Sequence, residues 1–114
     1  MSANPKYKQG DIYLVKFHPS LGKELRKYRP AVVVFDSVNN GFVTIAPLTS
    51  NLNIKHSDHE FVINSSKNNG LKQSSLVLAW YLRTIDDQAM QKLLGRLSKS
   101  NLTKLKKSLT KLFS

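Results

Sequence analysis

The sequence feature that most constrains the fold is a continuous apolar run, Ala31 to Phe35, which follows directly on Pro30. A short, valine-rich run of this kind is typical of a β-strand whose two faces are both covered by protein. Pro30 suits the beginning of such a strand because proline has no N–H to donate to a neighbouring strand. Turn-forming residues occupy positions 36–41, and Phe42 to Ala46 is a second β-rich run. These segments predict an antiparallel hairpin.

Other β-rich segments are separated by polar loops. The first covers Ile12 to Phe17, and the later ones cover residues 60–63, 75–80 and 81–85, the last two forming one or two strands. A series of short strands followed by helices favours a small, strongly curved, partly open β-barrel with helices packed on it. The expected fold class is therefore mainly β with helices.

Two helices are expected near the C-terminus. Asp86 is a good N-cap, and Gln88 to Leu94 are compatible with a short helix. Further on, Ser98 or Ser100 can cap an amphipathic helix. Its apolar face is formed by Leu102, Leu105, Leu109, Leu112 and Phe113. This face is expected to pack on the strands, although binding to a membrane surface or a partner protein is an alternative.

The length of 114 residues predicts a single domain, expected over residues 10–114 and preceded by a flexible segment of residues 1–9. The absence of cysteine excludes disulfides and thiolate catalysis. No apolar run has the length of a signal-peptide core or a membrane span, so a cytoplasmic protein is expected.

The charge of the chain is strongly positive. Its formal net charge is +11 and its isoelectric point is about 10.1. Such an excess speeds the encounter with polyanions and favours either a nucleic acid or an acidic protein as partner. Charge by itself does not decide between these two.

The predicted hairpin brings two distant polar positions together. If its turn lies at Asn39-Asn40, antiparallel pairing places Arg29 opposite Ser50 and beside Thr49, within a slip of about two residues. The guanidinium is planar and permanently charged, and it matches phosphate oxygens, while a hydroxyl adds a donor or acceptor. The pair is suited to bind a phosphodiester and to stabilise negative charge. The alternative is a surface ion pair for Arg29 and a purely structural Thr49.

A series of short motifs runs in order along the chain. The motifs are Gly10-Asp11-Ile12-Tyr13, Pro19, Gly22, Glu24, Arg29-Pro30-Ala31-Val32-Val33, Pro47-Leu48-Thr49-Ser50 and Leu82-Arg83-Thr84-Ile85-Asp86. None is specific alone, but together they resemble the MazF/PemK family of toxins from type II toxin–antitoxin systems. The resemblance implies an SH3-like, curved antiparallel barrel with a C-terminal amphipathic helix, usually as a homodimer.

The same resemblance implies an activity and a partner. The activity is that of a toxin endoribonuclease that cleaves single-stranded RNA at short sequence motifs, with neither a metal nor another cofactor. The RNA 2′-hydroxyl attacks the adjacent phosphorus, which leaves a 2′,3′-cyclic phosphate and a 5′-hydroxyl. The implied partner is an acidic antitoxin protein that covers the RNA groove.

The resemblance also implies roles for individual residues. Arg29 matches the arginine that stabilises the phosphate and the transition state, and Thr49 matches a threonine that contacts the phosphate or the 2′-hydroxyl. Glu24 is a candidate general base, with His18 and His59 as alternatives. The expected substrate-binding residues are Lys23, Arg26, Lys27, Ser50, Tyr81 and Arg83. Arg83 has the alternative role of holding the turn that follows it.

The chain departs from the family pattern just before Arg83. Many relatives have an acidic residue and glutamine where this chain has Trp80 and Tyr81, and one branch places an acid–base pair where it has Leu78 and Trp80. Either aromatic ring can stack on an RNA base or fill the core, and Tyr81 is expected to be the exposed one. The alternative function is a catalytically weak or inactive member that binds RNA or antitoxin, or a toxin that inhibits DNA gyrase.

Overall fold

The computed structural model describes residues 6–17, 28–36, 40–54 and 57–114. Seven strands and one α-helix are described there. The strands are β1 (Asp11–Lys16), β2 (Tyr28–Asp36), β3 (Phe42–Thr49), β4 (Glu60–Ile63), β5 (Ser75–Leu78), β6 (Arg83–Asp86) and β7 (Met90–Arg96). Helix α1 (Lys99–Leu112) follows the last strand. The predicted fold class, mainly β with a C-terminal helix, is confirmed.

All strand pairs in the sheet are antiparallel, and the spatial order is β4-β5-β3-β2-β1-β7. The sheet curves without closing, because β4 and β7 stand at opposite ends of this order. One edge of β3 pairs with β2, and the opposite edge pairs with two different strands. Its first half pairs with β6, and Leu48 and Thr49 pair with β5. The end of β3 therefore reaches a different part of the sheet from its beginning.

The predicted hairpin between β2 and β3 is confirmed. Near its turn Phe35 pairs with Thr44, as expected, but the register shifts between Val33 and Phe35. Beyond the shift Ala31 pairs with Pro47. Each residue at the open end is thus displaced by one position from the predicted pairing. Such a shift is the effect of a β-bulge, which also bends the strand.

The core lies on both faces of the sheet because side chains alternate along each strand. Val32 and Leu48 belong to a buried cluster on one face, and Val33 and Ile45 to a buried cluster on the other. The expected double coverage of β2 is therefore confirmed for Ala31 to Val33, whereas Phe35 is 59% exposed.

Helix α1 begins as predicted at the N-cap Ser98, whose hydroxyl accepts from the Asn101 N–H at 3.1 Å. Leu105 is fully buried, and Leu102 and Leu109 pack against the cluster that contains Leu48. Phe113, which the spacing predicts on this face, is 74% exposed. It is the C-cap residue, and its backbone is not helical. The helical spacing therefore does not extend to Phe113, and its side chain does not lie on the apolar face.

The predicted helix from Gln88 to Leu94 is wrong. Asp86 does cap a turn, since its carboxylate accepts from the Gln88 N–H at 2.9 Å, but that 3-10 turn ends at Ala89. The following residues form β7, which pairs with β1. Pairing with a strand distant in sequence outweighs a weak local helix preference.

The packed part of the chain begins earlier than the expected boundary at Gly10. Tyr7 is buried, its N–H donates to an Asp36 carboxylate oxygen at 2.9 Å, and its ring meets Tyr13 edge-on. Tyr7, which lies in the segment expected to be flexible, is therefore part of the core. No helix among the described ranges combines the length and the apolar character needed to cross a membrane.

Candidate active site

A cleft of about 1160 Å³ opens beside the open end of the β2–β3 hairpin. Seven parts of the chain surround it: β1, β2, the end of β3 with the turn that follows, the loop before β5, β5 itself, the segment after β5, and β7. Its described lining comprises Leu14, Tyr28, Arg29, Pro30, Leu48, Thr49, Ser50, Asn51, Ile54, Gly70, Leu71, Lys72, Gln73, Ser75, Leu78, Trp80, Tyr81, Lys92 and Leu94. Of the residues predicted to form the site, Arg29, Thr49, Ser50 and Tyr81 line it.

Arg29 is positioned by β1 and β3 together. Its backbone pairs with Val15, and its half-buried side chain reaches across to β3, where Nη1 lies 3.5 Å from the carbonyl oxygen of Leu48. Continuing the observed β2–β3 register brings Arg29 opposite Thr49, where the sequence predicted Ser50. The guanidinium and the hydroxyl therefore share one wall of the cleft, although they are remote in sequence.

Thr49 is oriented by the turn that follows β3. Its Oγ1 accepts a hydrogen bond from the Asn51 N–H at 3.1 Å. A hydroxyl that already accepts from the backbone still has its own proton to donate. Thr49 is thus arranged to donate towards an oxygen in the cleft, and the exposed Ser50 is a second hydroxyl beside it.

The cleft has a positive charge. Lys72 and Lys92 line it together with Arg29, and no carboxylate is found among its described lining residues. Two of the three cations come from segments that are far from Arg29 in sequence. The arrangement favours an anionic occupant with several charges, such as a nucleic-acid backbone.

Two aromatic rings form part of the same cleft. Trp80 and Tyr81 stack on each other, with ring centroids 5.3 Å apart and an angle of 18° between the planes. Trp80 is 42% exposed, whereas Tyr81 is half-buried against the cluster that contains Val33. The expectation that Tyr81 would be the exposed ring is therefore wrong. The reason is that the Trp80 ring covers one face of Tyr81 while the core cluster packs against it.

Arg83 does not line the cleft. Its guanidinium lies over the Tyr81 ring, 5.7 Å from the centroid, with Nη1 3.5 Å from the Tyr81 hydroxyl. Arg83 therefore supports an aromatic wall residue from behind, which leaves a direct role in substrate binding a prediction.

Comparison with known proteins agrees with this architecture. The model of the family described as "PemK-like, MazF-like toxin of type II toxin-antitoxin system" matches residues 8–113. This chain belongs to that family. The resemblance identified from the motifs is thereby confirmed.

Among MazF-like relatives, the chain is 29% identical over 110 residues to "Endoribonuclease MazF9" of Mycobacterium tuberculosis, covering 90% of this chain and 92% of the relative. It is 27% identical over 106 residues to "Endoribonuclease EndoA" of Bacillus subtilis, with 90% of each chain covered. Among solved structures, MazF from Deinococcus radiodurans superposes with a TM-score of 0.72 at 21% identity, covering 96% of this chain and 97% of that one.

Five of the predicted residues fall outside the described part of the chain. These are the candidate bases His18 and Glu24 and the basic residues Lys23, Arg26 and Lys27. In the sequence, Lys23, Glu24, Arg26 and Lys27 lie within six residues of Arg29, whereas His18 is eleven residues away. His59, the third candidate base, is not among the residues that line the cleft, and its Nδ1 is buried without a hydrogen-bond partner.

Lys72 and Lys92 line the cleft but were not predicted from the sequence, and of the two rings considered Trp80 is the more exposed. Lys92 was missed because its segment was assigned to a helix, whereas in β7 it pairs with Leu14, another residue of the cleft. Lys72 follows Gly70-Leu71 in a loop whose path the sequence pattern does not define. Residues Gln91 to Leu94 read Gln-Lys-Leu-Leu, without the alternation of polar and apolar residues that predicts a strand.

Proposed function

We propose that this MazF-like protein is an endoribonuclease that cleaves single-stranded RNA in the cleft beside Arg29. The observation that carries the proposal is that Arg29 and Thr49 meet on one wall of a basic cleft. The relatives named as endoribonucleases, which match over about 90% of the chain, support it. The attacking group is the RNA 2′-hydroxyl, and the products carry 2′,3′-cyclic phosphate and 5′-hydroxyl ends.

In this reaction the O2′–P bond forms as the P–O5′ bond breaks. The 2′-hydroxyl proton passes to a base, and the departing 5′-oxygen takes up a proton. Negative charge grows on the non-bridging phosphate oxygens as the phosphorus becomes five-coordinate. Arg29 can bind those oxygens through two N–H groups and stabilise the added charge without a metal ion.

Thr49 supplies a second donor on the same wall. Because its oxygen already accepts from the Asn51 N–H, its hydroxyl proton points away from that bond and can reach a phosphate oxygen. This arrangement favours donation over proton abstraction. The base is then sought in the segment before β2, where Glu24 and His18 are the candidates.

The direct test is incubation of the purified protein with mixed-sequence RNA in EDTA, followed by mapping of the RNA ends. Cleavage at recurring short motifs, with cyclic phosphate and 5′-hydroxyl ends, is expected. RNA that stays intact across varied sequences would overturn the proposal. Inhibition of DNA gyrase in a separate supercoiling assay, with Mg²⁺ and ATP present, would favour the alternative function.

Thr49→Val should lower kcat for RNA cleavage by about 10²-fold, because the variant keeps the shape but loses the donor to the phosphate. Thr49→Ser keeps the hydroxyl and should stay within a few-fold of the wild type. Single-turnover cleavage with saturating enzyme measures the chemical step. Equal activity of the serine and valine variants would show that the hydroxyl does not contact the reacting phosphate.

Salt should weaken RNA binding with a slope set by the cations of the cleft. For single strands each neutralised phosphate contributes about −0.7 to the slope of log K against log salt, so Arg29, Lys72 and Lys92 together predict about −2 or steeper. Lys92→Ala should make the slope shallower by about 0.7. Lys107→Ala, on the exposed side of α1, is the matched control and should leave the slope unchanged. A slope that both variants change equally would place the RNA elsewhere.

The same charge supports two assembly proposals. An acidic antitoxin segment is complementary to the cleft cations and to the net charge of +11. A second copy of the chain is the other proposed partner, because the family resemblance implies a homodimer. Solved MazF-like structures include a MazE–MazF complex from Deinococcus radiodurans, which this fold matches with a TM-score of 0.71 at 19% identity, covering 97% of each chain.

A further inference from the structure

The aromatic wall of the cleft is built as a stack with one open end. Tyr81 is covered by the Trp80 ring and by the Arg83 guanidinium, and it packs against the core. Trp80 is the member of the stack with the largest exposed fraction, 42%. Its ring therefore offers apolar surface to whatever enters the cleft.

The orientation of Trp80 is fixed by a buried carboxylate. Its indole Nε1–H donates to Glu60 Oε2 at 2.8 Å, and Glu60 is only 3% exposed. The other carboxylate oxygen of Glu60 accepts from the Ser57 N–H at 3.0 Å, so the carboxylate itself is held. This hydrogen bond to a held, buried acceptor restrains the plane of the indole ring. Since the N–H is already bonded, the exposed surface of Trp80 is mainly the ring.

We propose that the Trp80 ring stacks on one nucleobase of the RNA in this cleft, with Glu60 and Tyr81 as positioning residues. The inference rests on the proposed function and specifies how the strand is held. Single-stranded nucleic acids are commonly bound by aromatic rings that stack bases beside cations that follow the backbone. Here Arg29, Lys72 and Lys92 provide the cations in the same cleft. Stacking tolerates any base, so the Trp80 ring contributes to the affinity for RNA and to the position of the strand in the cleft.

The chain contains a single tryptophan, so intrinsic tryptophan fluorescence reports on Trp80 alone. The wild-type protein is titrated with a mixed-sequence 2′-O-methyl RNA, which lacks the attacking hydroxyl and stays intact. An abasic oligonucleotide of equal length and charge serves as the matched probe at the same salt concentration. Saturable quenching by the base-bearing strand, and little or none by the abasic strand, is expected. Equal quenching by both strands, or none by either, overturns the proposal.

Variants test the same inference through affinity, measured with a labelled 2′-O-methyl strand. Trp80→Ala should weaken binding by roughly 5- to 150-fold, the range for loss of one stacked base, and Trp80→Phe should retain most of the affinity. Phe42→Ala removes an aromatic ring of similar exposure, 49%, outside the cleft and should bind like the wild type. Wild-type affinity in Trp80→Ala would contradict stacking. Circular dichroism checks that each variant folds.

Glu60 is tested as a positioning residue by the anisotropy of Trp80 emission. Glu60→Ala should lower both this anisotropy and the affinity for the base-bearing strand, and Glu60→Gln, which keeps a carbonyl acceptor, should restore most of both. Equal loss of affinity for the abasic strand would contradict a positioning role.

The stacking inference and the proposed function fail separately. If the protein cleaves RNA but its Trp80 emission does not respond to bases, the stacking inference is refuted and the proposed nuclease function is retained. If bases quench the Trp80 emission but all RNA stays intact, the proposed nuclease function is refuted and the stacking inference is retained.

Discussion

Arg29→Ala is expected to lower the rate constant for RNA cleavage by about 10³-fold, or about 4 kcal/mol of transition-state stabilisation. In the proposed mechanism, Arg29 is the cation beside Thr49 that faces the phosphate oxygens on which negative charge develops. Arg29→Lys keeps the charge but loses the two-pronged donor geometry, so an intermediate rate is expected. Single-turnover cleavage of a substrate with a mapped motif measures both variants.

The matched control for this substitution is Arg96→Ala. Arg96 is 59% exposed and forms an ion pair with Asp11 at 3.1 Å, outside the cleft that contains Arg29. Its loss should leave the cleavage rate within a few-fold of the wild type. If Arg29→Ala folded normally and still cleaved within about tenfold of the wild type, Arg29 would not be the transition-state stabiliser, and the reaction centre would have to lie elsewhere.

Gly70→Ala is expected to lower the free energy of unfolding by about 4 kcal/mol or more. Gly70 has a φ of +69°, which L-residues rarely adopt, and a Cβ there would lie 2.1 Å from the carbonyl oxygen of Leu94. The neighbouring backbone cannot yield easily, because the Arg96 N–H donates to the Asn68 carbonyl at 2.9 Å and holds the loop against β7. Urea denaturation followed by circular dichroism measures the loss.

Substitutions at two other glycines distinguish the two causes of this loss of stability, the positive φ and the steric clash of the added methyl group. Gly41 has a φ of +82°, but no atom lies within 4 Å of the place an added methyl group would take, so Gly41→Ala should cost only about 1 kcal/mol. Gly95 carries no positive φ, but its Cβ would lie 2.2 Å from the Asn68 carbonyl oxygen, so Gly95→Ala should cost about 3 kcal/mol or more. Similar small losses in all three variants would show that the loop and β7 separate readily.

The close approach of Gly70 to the Leu94 backbone also affects the cleft. Gly70 and Leu94 both line it, so a methyl group at position 70 pushes apart two of its walls. Gly70→Ala protein that remains folded at low temperature should therefore bind the 2′-O-methyl strand more weakly than Gly41→Ala protein. Equal affinities would show that the cleft adjusts to the displaced loop.

The hairpin was predictable because its signals are local. The apolar run from Ala31, the turn residues before Phe42 and the position of Pro30 all act over a few residues. The one-residue shift that places Thr49 opposite Arg29 was not predictable, because a bulge is set by how β2 packs between β1 and β3. β7 was misassigned for a related reason, since its partner β1 lies at the other end of the chain.

By itself, the sequence determined the chemical groups of the site and the hairpin that carries them. It supplied a guanidinium near the start of one strand and a hydroxyl at the end of the next, and antiparallel pairing is enough to bring these together. Only the tertiary structure decided that Lys72, Lys92 and Trp80 join them around one cleft, and that Glu60 fixes the indole ring. These relations depend on long-range pairing and close backbone packing, for which the sequence pattern carries no local signal.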